Sequence, residues 1–160
     1  VEEKNLPLKA KLAGPFQDAQ TEHAVLARLQ KLPSVEYVGP VYGADKDNFL
    51  ASIDVLILPT RYKNETEAKV NHEAMILGIP VIAYGRGCIP EIVGSDCGLV
   101  IDPAAPFVPA ASAQIEDWIS DPTAFEAASA GAARRFAKTY ADNFERWAGL
   151  LAEIAGCRGQ

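Results

Sequence analysis

Residues 59–93 read PTRYKNETEAKVNHEAMILGIPVIAYGRGCIPEIV, and the order of signals inside them decides the fold. In residues 65–77, Val70, Ala74 and Leu77 fall on one stripe at a helical pitch of about 100° per residue. Gly78 can cap such a helix and Pro80 forbids its continuation. The run PVIAY (residues 80–84) then reads as a strand. A glycine-rich turn, residues 85–91, leads from it into a short helix at residues 91–93.

The same alternation continues in both directions. Upstream lie LKAKLAG (residues 8–14), a helical stretch at 19–32, VEYVG (35–39), a helix at 44–52 and DVLILP (54–59). Downstream lies GLVID (98–102). Strands alternating with helices imply βαβ units, a parallel sheet and right-handed crossovers, an α/β Rossmann-like fold. Residues 108–155 read as a helical tail of three helices, broken at Asp121-Pro122 and again at Asp142-Asn143, with Asn143 as a cap. The whole of residues 1–160 reads as one domain.

Composition narrows the function. A hydrophobic fraction of 49% and a charged fraction of 22% are those of a globular protein, and 160 residues suffice for one real core. A net charge of −6 argues against nucleic acid as a partner. No stretch approaches the roughly 18 apolar residues of a membrane span. Cys88, Cys97 and Cys157 form no C-x-x-C, and with only His23 and His72 beside them a zinc site is not expected. Reduced thiols in the cytoplasm are the expectation. The chain has no Walker A motif, no G-x-S-x-G, no H-E-x-x-H and no G-x-G-x-x-G, the last of which disfavours a dinucleotide oxidoreductase.

In such folds ligands sit beyond the carboxyl ends of the strands. The turns to inspect are therefore residues 39–43, 59–65 and 84–90. On the helix, Glu73 shares the stripe of Val70 and Leu77, where a carboxylate is costly unless paired or opened onto a ligand cleft. The residues alone leave a buried salt bridge and a ligand contact both open. Glu65 lies two turns earlier and about 80° around. The helix start offers backbone N–H groups to an anion, and Arg61, Lys63 and Lys69 offset the charge of Glu65 and Glu67 there. His72 points away from the stripe and reads as exposed.

Taken together, residues 59–93 resemble the core signature of the large GT4 (group 1) family of glycosyltransferases. Its hallmarks are E-x7-E, then A-M/L-x-x-G-x-P-V-I-A, then a G-x-P-E loop. Glu65 and Glu73 have that spacing, and Ala74-Met75, Gly78, Pro80 to Ala83 and Gly87 to Glu91 supply the rest. KLAGPF, VEYVGPV, DVLILPT and CGLVIDP fall in the family's order, so the resemblance covers nearly the whole chain.

The resemblance implies the C-terminal, donor-binding domain of a two-domain GT-B enzyme that transfers a sugar from a nucleotide sugar with retention. It implies that Glu65 contacts the transferred sugar as the catalytic residue and that Glu73 holds the ribose. The backbone at Ala68, Lys69 and Val70 would meet the diphosphate, with Arg61 nearby, and the turn at Gly39 and Val41 would lie against the base. No metal or other cofactor is implied. The acceptor, a glycan, lipid-linked sugar or small molecule, would come through an N-terminal domain. The full protein would be cytoplasmic, or peripheral to the inner membrane face.

Two departures stand out. Thr66-Glu67-Ala68 replaces the family's Gly-Phe-Gly or Ala-x-Pro. VEEKN at the front reads as the end of the helix after the family's first strand, so that strand is expected to be missing and Lys4 receives no role. A sheet split at that point, or a gap filled by another copy of the chain, is the expectation. The alternative function is a non-catalytic Rossmann-like module that binds a nucleotide or a partner.

Overall fold

The computed structural model describes residues 6–156. The reading of residues 1–5 as a helix end, with Lys4 unassigned, and Cys157 lie outside them. The chain divides between Ala51 and Ser52 into two compact units.

The first unit holds β1 (Ala10–Ala13), α1 (Ala19–Leu29), β2 (Val35–Gly39) and α2 (Ala44–Leu50). β1 and β2 pair in parallel, with a register shift between Leu12 and Ala13. Asp18 opens α1 by accepting the Thr21 N–H at 2.6 Å, which holds its carboxyl below the usual range. Tyr37 packs on Phe16, ring centroids 4.7 Å apart, and donates its hydroxyl to the Gly14 carbonyl.

The second unit holds β3 (Leu56–Leu58), α3 (Lys69–Ile76), β4 (Val81–Tyr84), α4 (Ile89–Val93), β5 (Gly98–Ile101), α5 (Phe107–Ser120) and α6 (Pro122–Gly156). The strands pair in parallel in the order β3-β4-β5. Central β4 is buried throughout, which is why its sequence is an unbroken apolar run. Ile82 and Tyr84 join Ile101, Ala111 and Trp118 in the core, and Val81 and Ala83 point to the opposite face. Gly98 is obligatory, because a Cβ there would stand 2.0 Å from the Val81 carbonyl of the adjacent strand.

The α/β architecture and every expected strand are present. Among the described residues β1 and β3 do not pair, so the strands form two separate sheets. Three readings of the helices need correction. The tail is two helices, not three: α6 runs unbroken through Asp142 and Asn143. Both are exposed there, and Asp142 accepts an i,i+4 ion pair from Lys138 at 2.7 Å, so no cap is needed. The helix expected at residues 65–77 begins only at Lys69, which leaves Glu65 and Glu67 in the preceding loop. Its buried face is Asn71, Ala74 and Met75, while Leu77 is exposed. Glu73 lies roughly 150° around from that face, so the apolar stripe does not account for it.

Candidate functional site

Two turns at the carboxyl ends of β3 and β4 build the site. After β3 the chain makes a tight loop in which the Thr60 hydroxyl donates to Glu65 Oε2 at 3.5 Å and the Glu65 N–H donates to the Tyr62 carbonyl at 3.3 Å. After β4 comes the glycine-rich turn, and the two interlock. The Cys88 N–H donates to the Thr66 carbonyl at 2.8 Å. Gly87, at φ +53°, lies so close that a Cβ would stand 2.3 Å from the Glu65 carbonyl oxygen. Glu65 is therefore half-buried on a loop whose backbone is held from both sides.

The loop runs directly into α3. The residue at the helix N-cap is Ala68, which has no side-chain acceptor, and the first turn contains no acid. Most helices place Ser, Thr, Asp or Asn there, and alanine costs about 1 kcal/mol by comparison. Asn71 N–H returns to the Ala68 carbonyl at 2.9 Å. Among the described residues the Ala68, Lys69 and Val70 N–H groups have no such bond, so this end leaves its first backbone donors open.

The side chains around it are arranged as follows. Arg61 is exposed, with its guanidinium carbon 5.8 Å from the centroid of the Tyr84 ring. Lys69 is exposed, Val70 half-buried and Ala68 buried. Glu73 is half-buried and takes part in at least one polar or electrostatic interaction. His72 corrects its reading as an exposed bystander. Its Nε2 lies 2.8 Å from Glu67 Oε1, and its ring meets Phe136 of α6 edge-on at 6.2 Å. The acid that departs from the family pattern is thus drawn to a histidine. Gly39, at φ +82°, and half-buried Val41 belong to the first unit, in a turn that also contains Gly43 at φ +53°. The second unit brings Glu65, Arg61, Ala68, Lys69 and Val70 onto one connected loop and helix start.

Two side chains were not singled out in the sequence. Asn71 is fully buried, with neither its Oδ1 nor its Nδ2 partnered among the described residues. Arg86 Nε is likewise sealed and unpartnered. The signal for Asn71 was present: residues 71, 74, 75 and 78 also make a helical stripe, with an amide on it.

A family model, glycosyl transferases group 1, matches residues 1–137. The chain belongs to that family. No curated protein sequence matches it. Solved structures of similar fold include HepE of Anabaena in complex with UDP, at 21% identity and a TM-score of 0.77 over 94% of this chain and 42% of that one. Sucrose-phosphate synthase of Thermosynechococcus elongatus aligns at 20% identity and a TM-score of 0.68 over 90% of this chain and 38% of that one. The C-terminal domain of a group 1 glycosyl transferase, LpcC, of Francisella tularensis aligns at 17% and 0.69, covering 86% of this chain and 72% of that one. At these identities the likeness establishes a shared fold. The chain spans about two-fifths of HepE and of the synthase. No helix among the described residues is long and apolar enough to cross a membrane.

Proposed function

We propose that this chain is the donor-binding half of a retaining nucleotide-sugar glycosyltransferase of the GT4, GT-B kind, a hexosyltransferase as a whole protein. The uncapped start of α3, held between two interlocked turns at the carboxyl ends of β3 and β4, carries the reading. Group 1 membership supports a nucleotide diphosphate as the anion for that seat, as does HepE, which was solved with both UDP and UDP-glucose. Glu65 then contacts the transferred sugar, Glu73 the ribose, and the backbone at Ala68, Lys69 and Val70 the diphosphate. The helix dipole and cations such as Arg61 stabilise the departing diphosphate without a metal ion, an electrostatic contribution aimed at charge that grows in the transition state.

The acceptor, a glycan, lipid-linked sugar or small molecule, is bound by groups outside this chain, and catalysis takes place on the cytoplasmic side. The 160 residues alone bind donor but turn over little. Calorimetric titration of UDP-, GDP- and ADP-sugars into the chain tests this, with Glu73→Ala as the control. Binding of one nucleotide class, weakened at least tenfold in Glu73→Ala, supports the reading. Equal binding by the variant removes Glu73 from the site. Binding of no nucleotide favours the non-catalytic module instead.

A further inference from the structure

Arg86 stands in the turn between β4 and α4, and it is an anomaly. The residue is half-buried, its Nε is fully sealed, and among the described residues its side chain has neither hydrogen bond nor ion pair. A guanidinium cannot escape that cost by losing its proton. A partly desolvated charge without a partner is unfavourable, and an anion at the two Nη groups, which are not sealed, would offset that cost.

Its surroundings say which anion. The Arg86 N–H donates to the Tyr84 carbonyl at 2.9 Å, which fixes the residue at the carboxyl end of β4. The next residue, Gly87, is the one packed on the Glu65 carbonyl, and Cys88 is bonded to Thr66, two residues before the N-cap of α3. A second arginine, Arg61, lies against the ring of Tyr84 itself, likewise with no acid partner among the described residues. Arg61 of the β3–α3 loop and Arg86 of the β4–α4 turn thus both lie by Tyr84 at the carboxyl end of β4, and the Arg86 turn is bonded to the loop that leads into α3, in a chain whose net charge is −6. In so acidic a chain an anionic ligand is repelled at long range, and local cations must overcome that.

We propose that Arg86 is an anion-binding residue of the donor site, its guanidinium taking the diphosphate of the nucleotide donor with Arg61 as the second cation. With Nε sealed, the two Nη groups are the donors left for the ligand, and their planar, end-on fork suits two phosphate oxygens at once. This inference rests on the donor-binding reading above and adds to it a residue that the family signature does not name.

The test compares diphosphate with parent nucleoside. UDP and uridine, then GDP and ADP with their nucleosides, are titrated into wild type, Arg86→Met, Arg86→Lys and Arg61→Met. For the diphosphate that wild type prefers, Arg86→Met is expected to lose about 10- to 100-fold in affinity, the range for a hydrogen bond to a charged group. The parent nucleoside should bind Arg86→Met as it binds wild type, and the salt dependence of diphosphate binding should flatten. Arg61→Met should show a smaller loss of the same kind. Arg86→Lys, which keeps the charge but not the fork, should recover part of the selectivity and serves if the methionine variant does not fold.

Unchanged diphosphate-over-nucleoside selectivity in Arg86→Met or Arg86→Lys, with wild type binding normally, overturns the proposal and leaves the donor site standing. Equal losses for nucleoside and diphosphate, with a lowered melting temperature, overturn it in favour of a packing role. Failure of wild type to bind any nucleotide removes the donor-binding reading and this inference together.

Discussion

At the scale of single residues, Gly87 decides whether the two halves of the site can meet. Its positive φ and the 2.3 Å approach to the Glu65 carbonyl leave no room for a side chain. Gly87→Ala should therefore push the turns apart, costing about 1–3 kcal/mol as an overpacked contact does. The melting temperature should fall and nucleotide affinity with it, whereas an unaltered affinity would show that the interlock does not shape the site. Cys97 allows a second prediction. Burial pushes its thiol up to about 11, with Asp96 adding to the rise and Arg135 opposing it. In a Cys157→Ser background at mildly alkaline pH, a thiol reagent should label exposed Cys88 quickly and Cys97 only on unfolding. Because the folded value is raised, the native state keeps the proton longer than the unfolded chain. Stability should then fall as pH rises from the ordinary thiol range towards about 11. Spacing brought Glu65, Glu73 and the glycine turn forward as candidates, since a motif is a property of sequence. Asn71 shares the helical spacing of Ala74 and Met75 and so carried a signal, whereas Arg86 carried none, because whether a guanidinium is sealed depends on what other elements lay over it.

At the scale of elements, α6 works as a clamp on the site's second turn. Arg135 donates from Nε to the Ile92 carbonyl at 2.7 Å and from Nη2 to the Glu91 carbonyl at 2.6 Å, with Asp96 at 3.1 Å from Nη1. Two orphan carbonyls at the end of α4 are thereby satisfied by a charged donor. Ser129 fastens the same helix to the Gly78 carbonyl at 2.7 Å. Arg135→Ala should cost about 2–4 kcal/mol from the loss of those bonds. Hydrogen exchange should quicken at Cys88 and the α4 amides, with little change on β4. Uniform quickening across the second unit would instead mean global loss of stability. The start of α6 carries a pH dependence. The Asp121 carboxylate accepts the Thr123 hydroxyl and the Thr123 and Ala124 N–H groups, and the hydroxyl most of all holds its carboxyl below the usual range. Its contribution is present above the unfolded carboxylate range and is lost as pH falls through the folded value. Asp121→Ala should flatten that acid limb of the melting curve. β4 was legible almost to the residue because it is buried on both faces and reads as one apolar run, whereas β1 and β3 are shorter than their runs suggest. The break expected at Asp142-Asn143 failed because turn-forming residues are tolerated on an exposed helix face.

At the scale of the whole chain, the described strands fall into two sheets, and the expectation of a sheet interrupted ahead of β3 came from family order rather than from periodicity. Local patterning sees each strand but not which strand it will pair with. The same limit applies to the far end of α6, where the sequence predicts a helix but not what lies against it. Tyr140, Phe144, Trp147, Leu151 and Ile154 recur at alternating steps of four and three along that end, and all are exposed. An uncovered apolar stripe of this length marks an association surface or a liability to aggregate. The chain has two tryptophans, and they report on opposite conditions: Trp118 is buried against Phe125, and Trp147 is 63% exposed. In Trp118→Phe the emission of Trp147 alone should lie near that of free tryptophan and be fully quenched by acrylamide in dilute solution. Blue-shifted, protected emission in dilute solution would mean that the stripe is covered, contrary to the exposure seen here. If the shift instead grows with protein concentration and disappears in a Leu151→Glu double variant, the cover is another copy of the chain, and the stripe is exposed only in the monomer.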